Sequence, residues 1–424
     1  MTETGKVKKV LVLLIGEVLE DPRVYRTCLS IGECGAEVTV ACTNPSLRPE
    51  REIHKNITII RFPHRKDFFL KRFYTWLKSR LHPGVGRILS RGHEEVPASS
   101  VKKVLRNFII DLNFTHFMKS NLRINRMMVD AFTGYSFDLI HCNDVDMLFA
   151  GTELKKNGTA RVLLYDSHEY WTGIGVHGSR TNDALREIEA SGINTADYVV
   201  TVNPMIAERM RDQYRLTNTP SVVMNCPYRY KGKLSVDEVH SPVRIVYQGK
   251  LQAFRGLEEL VLAFRSVDGA MLTLSGYGPL EESLKHLIKS SGLTGKVAVT
   301  GRYDPDDSLQ ILADHDIGVM PFKDVTLNMV YTSPNKFFDY AMAGLAVAAS
   351  DLPFLSSTIK HYGVGRLFGD INPSNIAETL NSMISDRGQM VKYKQNARKA
   401  ALDTFCWEEQ FWKNYPWKPK SETC

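Results

Sequence analysis

The chain has 424 residues, 43% apolar and 24% charged, with a formal net charge of +7. That is the composition of an ordinary globular protein long enough for about two to three domains. No apolar run approaches the roughly 18 residues that span a bilayer. Seven scattered cysteines without C-x-x-C spacing indicate neither a disulfide framework nor a zinc site, and a cytosolic protein follows.

The N-terminal KVKKVLVLLIG has a short apolar core, with acidic residues close behind it, so it reads as a first buried strand and not as a signal peptide. Further β-branched runs bounded by turn residues follow: AEVTVAC, NITIIRF, FDLIHCN, ARVLLYDS, DYVVTVN and SVVMNC. Helical stretches separate most of them, among them VYRTCLSIGECG, ended by Gly35, and NPMIAERMRDQY, which Asn203 caps and Pro204 opens. Strands alternating with helices predict a parallel sheet covered on both faces.

Within this half the positive charge is concentrated. From Arg61 to Arg126 there are 15 Lys and Arg against 4 Asp and Glu, so the remainder of the chain is net acidic. Aromatics interleave with the cations, as in DFFLKRFYTWLKSRLHPGVGRIL, a pattern suited to anionic lipid headgroups and equally to other polyanions. The plainer reading is a basic helical insertion, about 64–130, whose rings pack inward. Peripheral attachment to the inner face of a membrane, weakened by salt and by replacing Lys71, Arg72 and Lys78, is the functional expectation; nucleic-acid binding is not expected.

PYRYKGKLSVDEVHSP is polar and aperiodic, the composition of a linker. The alternation then restarts with VRIVYQG, LEELVLAFRSV, AMLTLSG, LEESLKHLIKSSG, KVAVTG, SLQILADH, DIGVMPF, LAVAAS and VGRLFG. The fold class is therefore α/β, with two facing Rossmann-like, doubly wound domains and a cleft between them. The expected boundaries are 1–226, a linker at 227–242, a second domain at 243–400 and a C-terminal helix in 401–424 packing back on the first domain. Ligands of such sheets bind at the carboxyl ends of the strands.

Three turns there hold candidate residues. In VYQGKLQAFRGLEEL, Gly249 lets the backbone approach an anion, Lys250 and Arg255 flank it, and Gly256 precedes a helix whose N-terminus favours negative charge. In LTLSGYGPLEESL, Gly276, Tyr277 and Gly278 form half of a dinucleotide fingerprint, but Glu281 replaces the third glycine. A nicotinamide-dependent enzyme stays a minor alternative, and Gly16 alone in the first loop weakens a pyrophosphate site there. In TSPNKFFDYAMAG, Ser333 is expected to cap and Pro334 to start a helix that carries Asn335, Lys336 and Asp339 and ends at Gly344. Asn335 and Asp339 share a helix face. A carboxylate there can accept two hydrogen bonds from a vicinal diol such as a ribose.

In order along the chain, DPRVYRTCLSIGECGAEVTV, FDLIHCNDVDML, LLYDSHEYW, VYQGKLQAFRGLEELVLAF, SGYGPLEESL and SPNKFFDYAMAGLAVAAS resemble the nucleotide-sugar glycosyltransferases of family 4. Only the basic insertion fits poorly. The resemblance implies the glycosyltransferase-B (GT-B) fold and transfer of a sugar from a nucleoside diphosphate donor, by family frequency a UDP-sugar. It also implies retention of anomeric configuration, with no metal or other cofactor, and a glycan or lipid-linked acceptor. By that resemblance Lys250 and Arg255 act on the donor diphosphate and Asp339 binds the ribose. Ser333, Pro334, Asn335 and Lys336 lie near the phosphates. Gly16, Asp21, Arg23, Asp144, His168 and Glu169 line the acceptor side, His168 as a catalytic candidate.

There are two departures. Tyr331 stands eight residues before Asp339, where a glutamate is common, and Asn143 stands where a histidine is common, while His141 is expected inside its strand. Three rival readings are a metal-binding D-x-D at Asp144-Val145-Asp146, a non-catalytic scaffold of a glycan-assembly complex, and a sugar-nucleotide epimerase.

Overall fold

The computed structural model of the protein describes residues 8–44, 50–64, 120–175 and 180–418. Most of the basic segment, including Lys71, Arg72 and Lys78, lies outside them, and with it the expectation of membrane attachment. Among the described residues no helix is long and apolar enough to cross a membrane.

The strands are β1 (Lys9–Leu13), β2 (Glu37–Asn44), β3 (Glu50–His54), β4 (Ile57–Pro63), β5 (Phe137–Asn143), β6 (Ala160–Ser167), β7 (Tyr198–Thr201) and β8 (Ser221–Val222), then β9 (Val243–Gln248), β10 (Ala270–Ser275), β11 (Val297–Gly301), β12 (Ile317–Met320), β13 (Ala346–Ser350) and β14 (Gly365–Phe368). The first eight form one sheet in the order β3-β4-β2-β1-β5-β6-β7-β8 and the last six another in the order β11-β10-β9-β12-β13-β14. Pairings within the second sheet are parallel. In the first sheet β3 is antiparallel to β4. The chain divides into two compact units, one mainly Met1–Asp166 with Gly178–Val199, the other Ser167–His177 with Val200–Trp417. The second unit thus takes in the segment after β6 as well as β8 and the polar stretch expected to be a linker.

Central strands read as continuous apolar runs because helices cover both faces. β13, AVAAS, is buried at every position. Its small side chains leave room for rings: Phe337 and Phe338, on helix Asn335–Met342, meet edge to face with centroids 5.5 Å apart, and Phe405 lies 5.5 Å from each. Burying rings of this size is among the largest single contributions to a core.

The order of the second sheet reverses between β9 and β12, and that of the first between β1 and β5. Loops diverge at such switch points and leave a crevice at the strands' carboxyl ends. The turns after β9 and β12 therefore flank the crevice of the second sheet, and those after β1 and β5 that of the first.

The polar stretch 227–242 is aperiodic but not loose. Arg398 on helix Arg387–Asp403 donates to Tyr230 O at 2.7 Å, and Lys394 on the same helix donates to Glu238 O at 2.7 Å. Helix Trp407–Asn414 carries the C-terminal tryptophan-rich stretch. Trp407 N–H donates to Pro227 O (2.9 Å), and Gln410 Oε1 accepts from Met224 N–H (3.3 Å). These two bonds tie it to the junction 224–227.

Candidate donor site

Two strand-to-helix turns are laced together by their backbones. Gly249 N–H donates to Ser275 O at 2.8 Å, Leu251 N–H to Tyr277 O at 2.9 Å, and Leu280 N–H to Leu251 O at 3.0 Å. A side chain on Gly276 would collide with Gly249 O, and one on Gly278 with Leu251 O. The spacing that looks like half a dinucleotide fingerprint is thus required by one turn packing on the other.

Gly249 serves differently. Its φ is +131°, and a Cβ there would stand 2.6 Å from both Cε and Nζ of Lys336. The missing side chain makes space for an ammonium from helix Asn335–Met342.

Lys250 and Arg255 follow on the same loop. The loop is strained: Phe254 has φ +67°, a conformation that costs a bulky residue about 1–3 kcal/mol, and Gly256 has φ +63°. Lys323 N–H donates to Phe254 O at 3.0 Å, anchoring the strained residue to the turn after β12. Phe322 in that turn is a common floor, with the guanidinium carbon of Arg255 4.5 Å from its ring centroid and Lys336 Nζ 5.9 Å from it. Among the described residues no carboxylate lies within 4.0 Å of the charged nitrogens of Lys250, Arg255 or Lys336, whereas nearby Lys323 is paired with Glu259 at 2.6 Å. Burial, then Arg255 and more weakly Lys250, lower the pKa of Lys336 to about 8, with Asp339 opposing the shift.

Asp339 lies one turn along from Asn335 and is partly buried. Its charge, after burial, helps raise the pKa of the Tyr303 and Tyr340 hydroxyls. Tyr340 OH accepts from Gln248 N–H at 3.1 Å, fixing this helix to the end of β9. Beyond Tyr303, Arg302 lies over the ring of Tyr277 at 4.9 Å, and that ring is 44% exposed.

Ser333 does not cap the helix. The N-cap position is Pro334, without a side-chain cap, and the buried Ser333 hydroxyl donates to Val202 O (3.3 Å) while accepting from Asn203 Nδ2 (3.3 Å). A tertiary partner has taken the oxygen that local sequence assigned to the cap, so the helix begins without a side-chain cap.

The residues expected on the acceptor side have the following partners. Asp21 Oδ1 caps helix Pro22–Glu33 through the N–H groups of Arg23 and Val24, at 3.0 Å each. Arg23 is 2% exposed and forms a two-pronged pair with Asp166, at 3.0 and 2.7 Å. Its guanidinium is therefore turned into the first unit, and its buried partner Asp166 was not singled out in the sequence. Gly16 is tied to Thr43, its N–H donating to Oγ1 at 2.9 Å. Asp144, after β5, has φ +62°, a strained backbone at the first sheet's switch point. Asp146 Oδ1 accepts from Asn121 Nδ2 at 2.9 Å, and burial, with Asp144 second, pushes its carboxyl up to about 7. His141 is fully buried in β5, as its strand pattern predicts. His168 and Glu169 follow β6; Glu169 accepts from Asn328 Nδ2 at 2.6 Å, and Asn328 Oδ1 accepts from Tyr170 N–H at 2.8 Å.

Residues 235–400 match the family described as Glycosyl transferases group 1, and residues 87–228 match Glycosyltransferase Family 4. The chain belongs to the group 1, family 4 glycosyltransferases. It is 25% identical over 294 residues to an uncharacterized glycosyltransferase of Methanocaldococcus jannaschii, covering 64% of this chain and 72% of that one. Over 211 residues it is 24% identical to a GDP-mannose-dependent alpha-(1-6)-phosphatidylinositol monomannoside mannosyltransferase of Mycobacterium tuberculosis, 49% of each chain. Solved structures with the same fold include sucrose-phosphate synthase from Thermosynechococcus elongatus (TM-score 0.64, 15% identity, 95% of this chain and 96% of that) and Anabaena HepE in complex with UDP (0.61, 15%, 94% and 96%). This glycosyltransferase therefore has the GT-B fold of two Rossmann-like domains and works with nucleotide-sugar donors.

Proposed function

We propose that the glycosyltransferase moves a sugar from a uridine diphosphate sugar to a hydroxyl of a lipid-linked or cell-surface glycan precursor, with retention and without a metal. The observation that carries the reading is that Lys250, Arg255 and Lys336, with no carboxylate in ion-pairing range among the described residues, converge on one turn beside Asp339. Lys250 and Arg255 neutralise the diphosphate, with Gly249 and Lys336 behind them and the backbone of Ser333, Pro334 and Asn335 at its edge. Asp339 accepts from the ribose hydroxyls, and Tyr277 with Arg302 offers a face for the base. As the glycosidic bond breaks, charge grows on the leaving diphosphate, and fixed cations stabilise it without reorganising. The acceptor oxygen bonds to the anomeric carbon as the bond to phosphate breaks, and its proton goes to the leaving phosphate. The uridine assignment draws support from neighbours whose structures hold UDP, such as Anabaena HepE; the mycobacterial relative, by its name, uses GDP-mannose.

Transfer assays with UDP-sugars and GDP-mannose, with and without a chelator, test this. Turnover with a UDP-sugar, undiminished by chelator and giving a product of unchanged anomeric configuration by NMR, is expected. Activity lost to chelator and restored by a divalent cation contradicts the metal-free part, and an inverted product the retaining part.

Lys336 adds a pH signature. Its ammonium binds the diphosphate only when protonated, and binding raises its pKa above the free value of about 8. Calorimetric affinity for UDP is expected to be level near pH 7 and to fall above pH 8, by at most about tenfold per unit. In the free protein the sign is opposite. The unfolded chain holds this proton more tightly, so Lys336 makes stability rise with pH from about 8 towards the ordinary lysine value.

A further inference from the structure

Tyr331 is held in place from two sides. Asn203 caps helix Pro204–Tyr214 through Ile206 N–H (3.0 Å), and its amide nitrogen donates to Tyr331 O (2.7 Å) and to Ser333 Oγ (3.3 Å). Farther along that helix, Arg209 lies over the Tyr331 ring, its guanidinium carbon 4.3 Å from the centroid, and donates from Nη2 to Tyr331 OH. The Tyr170 ring stands edge to face with Tyr331 at 6.1 Å, also within 5.9 Å of the Arg209 guanidinium, and its hydroxyl is tied to Gln213 Oε1 at 2.9 Å.

Arg209 is exposed, and among the described residues no carboxylate stands within 4.0 Å of its guanidinium. The hydroxyls of Tyr331 and Tyr170 hydrogen-bond the guanidinium. A guanidinium stacked on a ring and held by two hydroxyls has already lost much of its rotamer freedom, and its five N–H donors leave some to meet a carboxylate or phosphate. Tyr331 sits just before Ser333 and Asn335, at the phosphate end of the proposed donor site, where the transferred sugar and its acceptor would meet.

We propose that Arg209, held flat by Tyr331 and Tyr170, is a specificity residue that binds an oxyanion of the substrate, either a carboxylate on the donor sugar or a phosphate on the acceptor sugar. This rests on the donor-site reading above, and UDP alone, whose contacts do not include Arg209, serves as the control that separates the two. The full chain is titrated with UDP-glucose and UDP-glucuronate, and, saturated with UDP, with glucose and glucose 6-phosphate. The anionic member of one pair is expected to bind at least about tenfold more tightly, and the pair that discriminates identifies the source. Arg209→Ala removes the preference and leaves UDP affinity unchanged. Arg209→Lys keeps part of it, as does Tyr331→Phe, which retains the ring but not the hydroxyl. Absence of discrimination in both pairs, or discrimination that survives Arg209→Ala, overturns the proposal. Failure of UDP itself to bind overturns the donor-site reading and this proposal with it.

Discussion

Replacing Lys394 with methionine is expected to lower the unfolding free energy of the second unit by about 3–5 kcal/mol. Lys394 is 1% exposed and Asp316 fully buried, with Nζ to Oδ1 at 2.9 Å. The carboxylate also accepts from the N–H groups of His240 (3.2 Å) and Arg244 (3.0 Å). Methionine fills the space of the lysine stem but removes the buried ammonium, leaving the carboxylate to backbone N–H groups and the part-exposed His240 ring, whose Nδ1 stands 3.1 Å from it. Urea denaturation, followed by the shift of midpoint at unchanged slope, measures the loss. Asp316→Leu combined with Lys394→Met should recover much of it, because the penalty belongs to the unpaired charge and not to the missing pair. Asp316 sits at the start of β12 and Arg244 in β9, so the pair clamps the two strands that define the switch point. A double variant that stays as destabilised as the single one would show that the pair itself holds the strands.

The second large effect is on turnover. Lys250→Ala and Arg255→Ala are each expected to cut kcat/KM by about 10²–10³, or roughly 2.7–4 kcal/mol of transition-state stabilisation. Arg255→Lys should be an intermediate case: it keeps the charge, but an ammonium does not reproduce the stacking of the guanidinium over Phe322. The two alanine effects should be less than additive, since both residues act on the same diphosphate. Initial rates across donor concentrations check this, and a change confined to KM would place the cations in ground-state binding alone.

The alternation of strands and helices was legible because buried parallel strands are continuous apolar runs, and FDLIHCN and ARVLLYDS coincide with β5 and β6. β3, EREIH, was not read as a strand. It is an antiparallel edge with charged residues facing water, and its signal is as weak as that of a polar loop. The donor-site residues could be named in sequence because glycine and cations cluster in strand-to-helix turns. What they do to one another could not. That Gly249 makes room for Lys336, that Phe322 floors two cations, and that Ser333 is bonded to Val202 and Asn203 all depend on partners far away in the chain. For the same reason the partners of Asp21 and Arg23, both named from the resemblance, were not legible: Asp21 caps helix Pro22–Glu33, and Arg23 pairs with Asp166, far along the chain. Arg209 carried no signal beyond a charge on a polar helix, and Tyr331 was legible only as a departure.

Whether the donor site is made of separate diphosphate and ribose parts is decided by calorimetric titration of UDP and of inorganic pyrophosphate into the wild type, Lys250→Ala with Arg255→Ala, and Asp339→Ala. The double cation variant should lose affinity for both ligands, while Asp339→Ala should lose affinity for UDP and keep that for pyrophosphate. UDP affinity unchanged in both variants would show that these residues do not form the donor site.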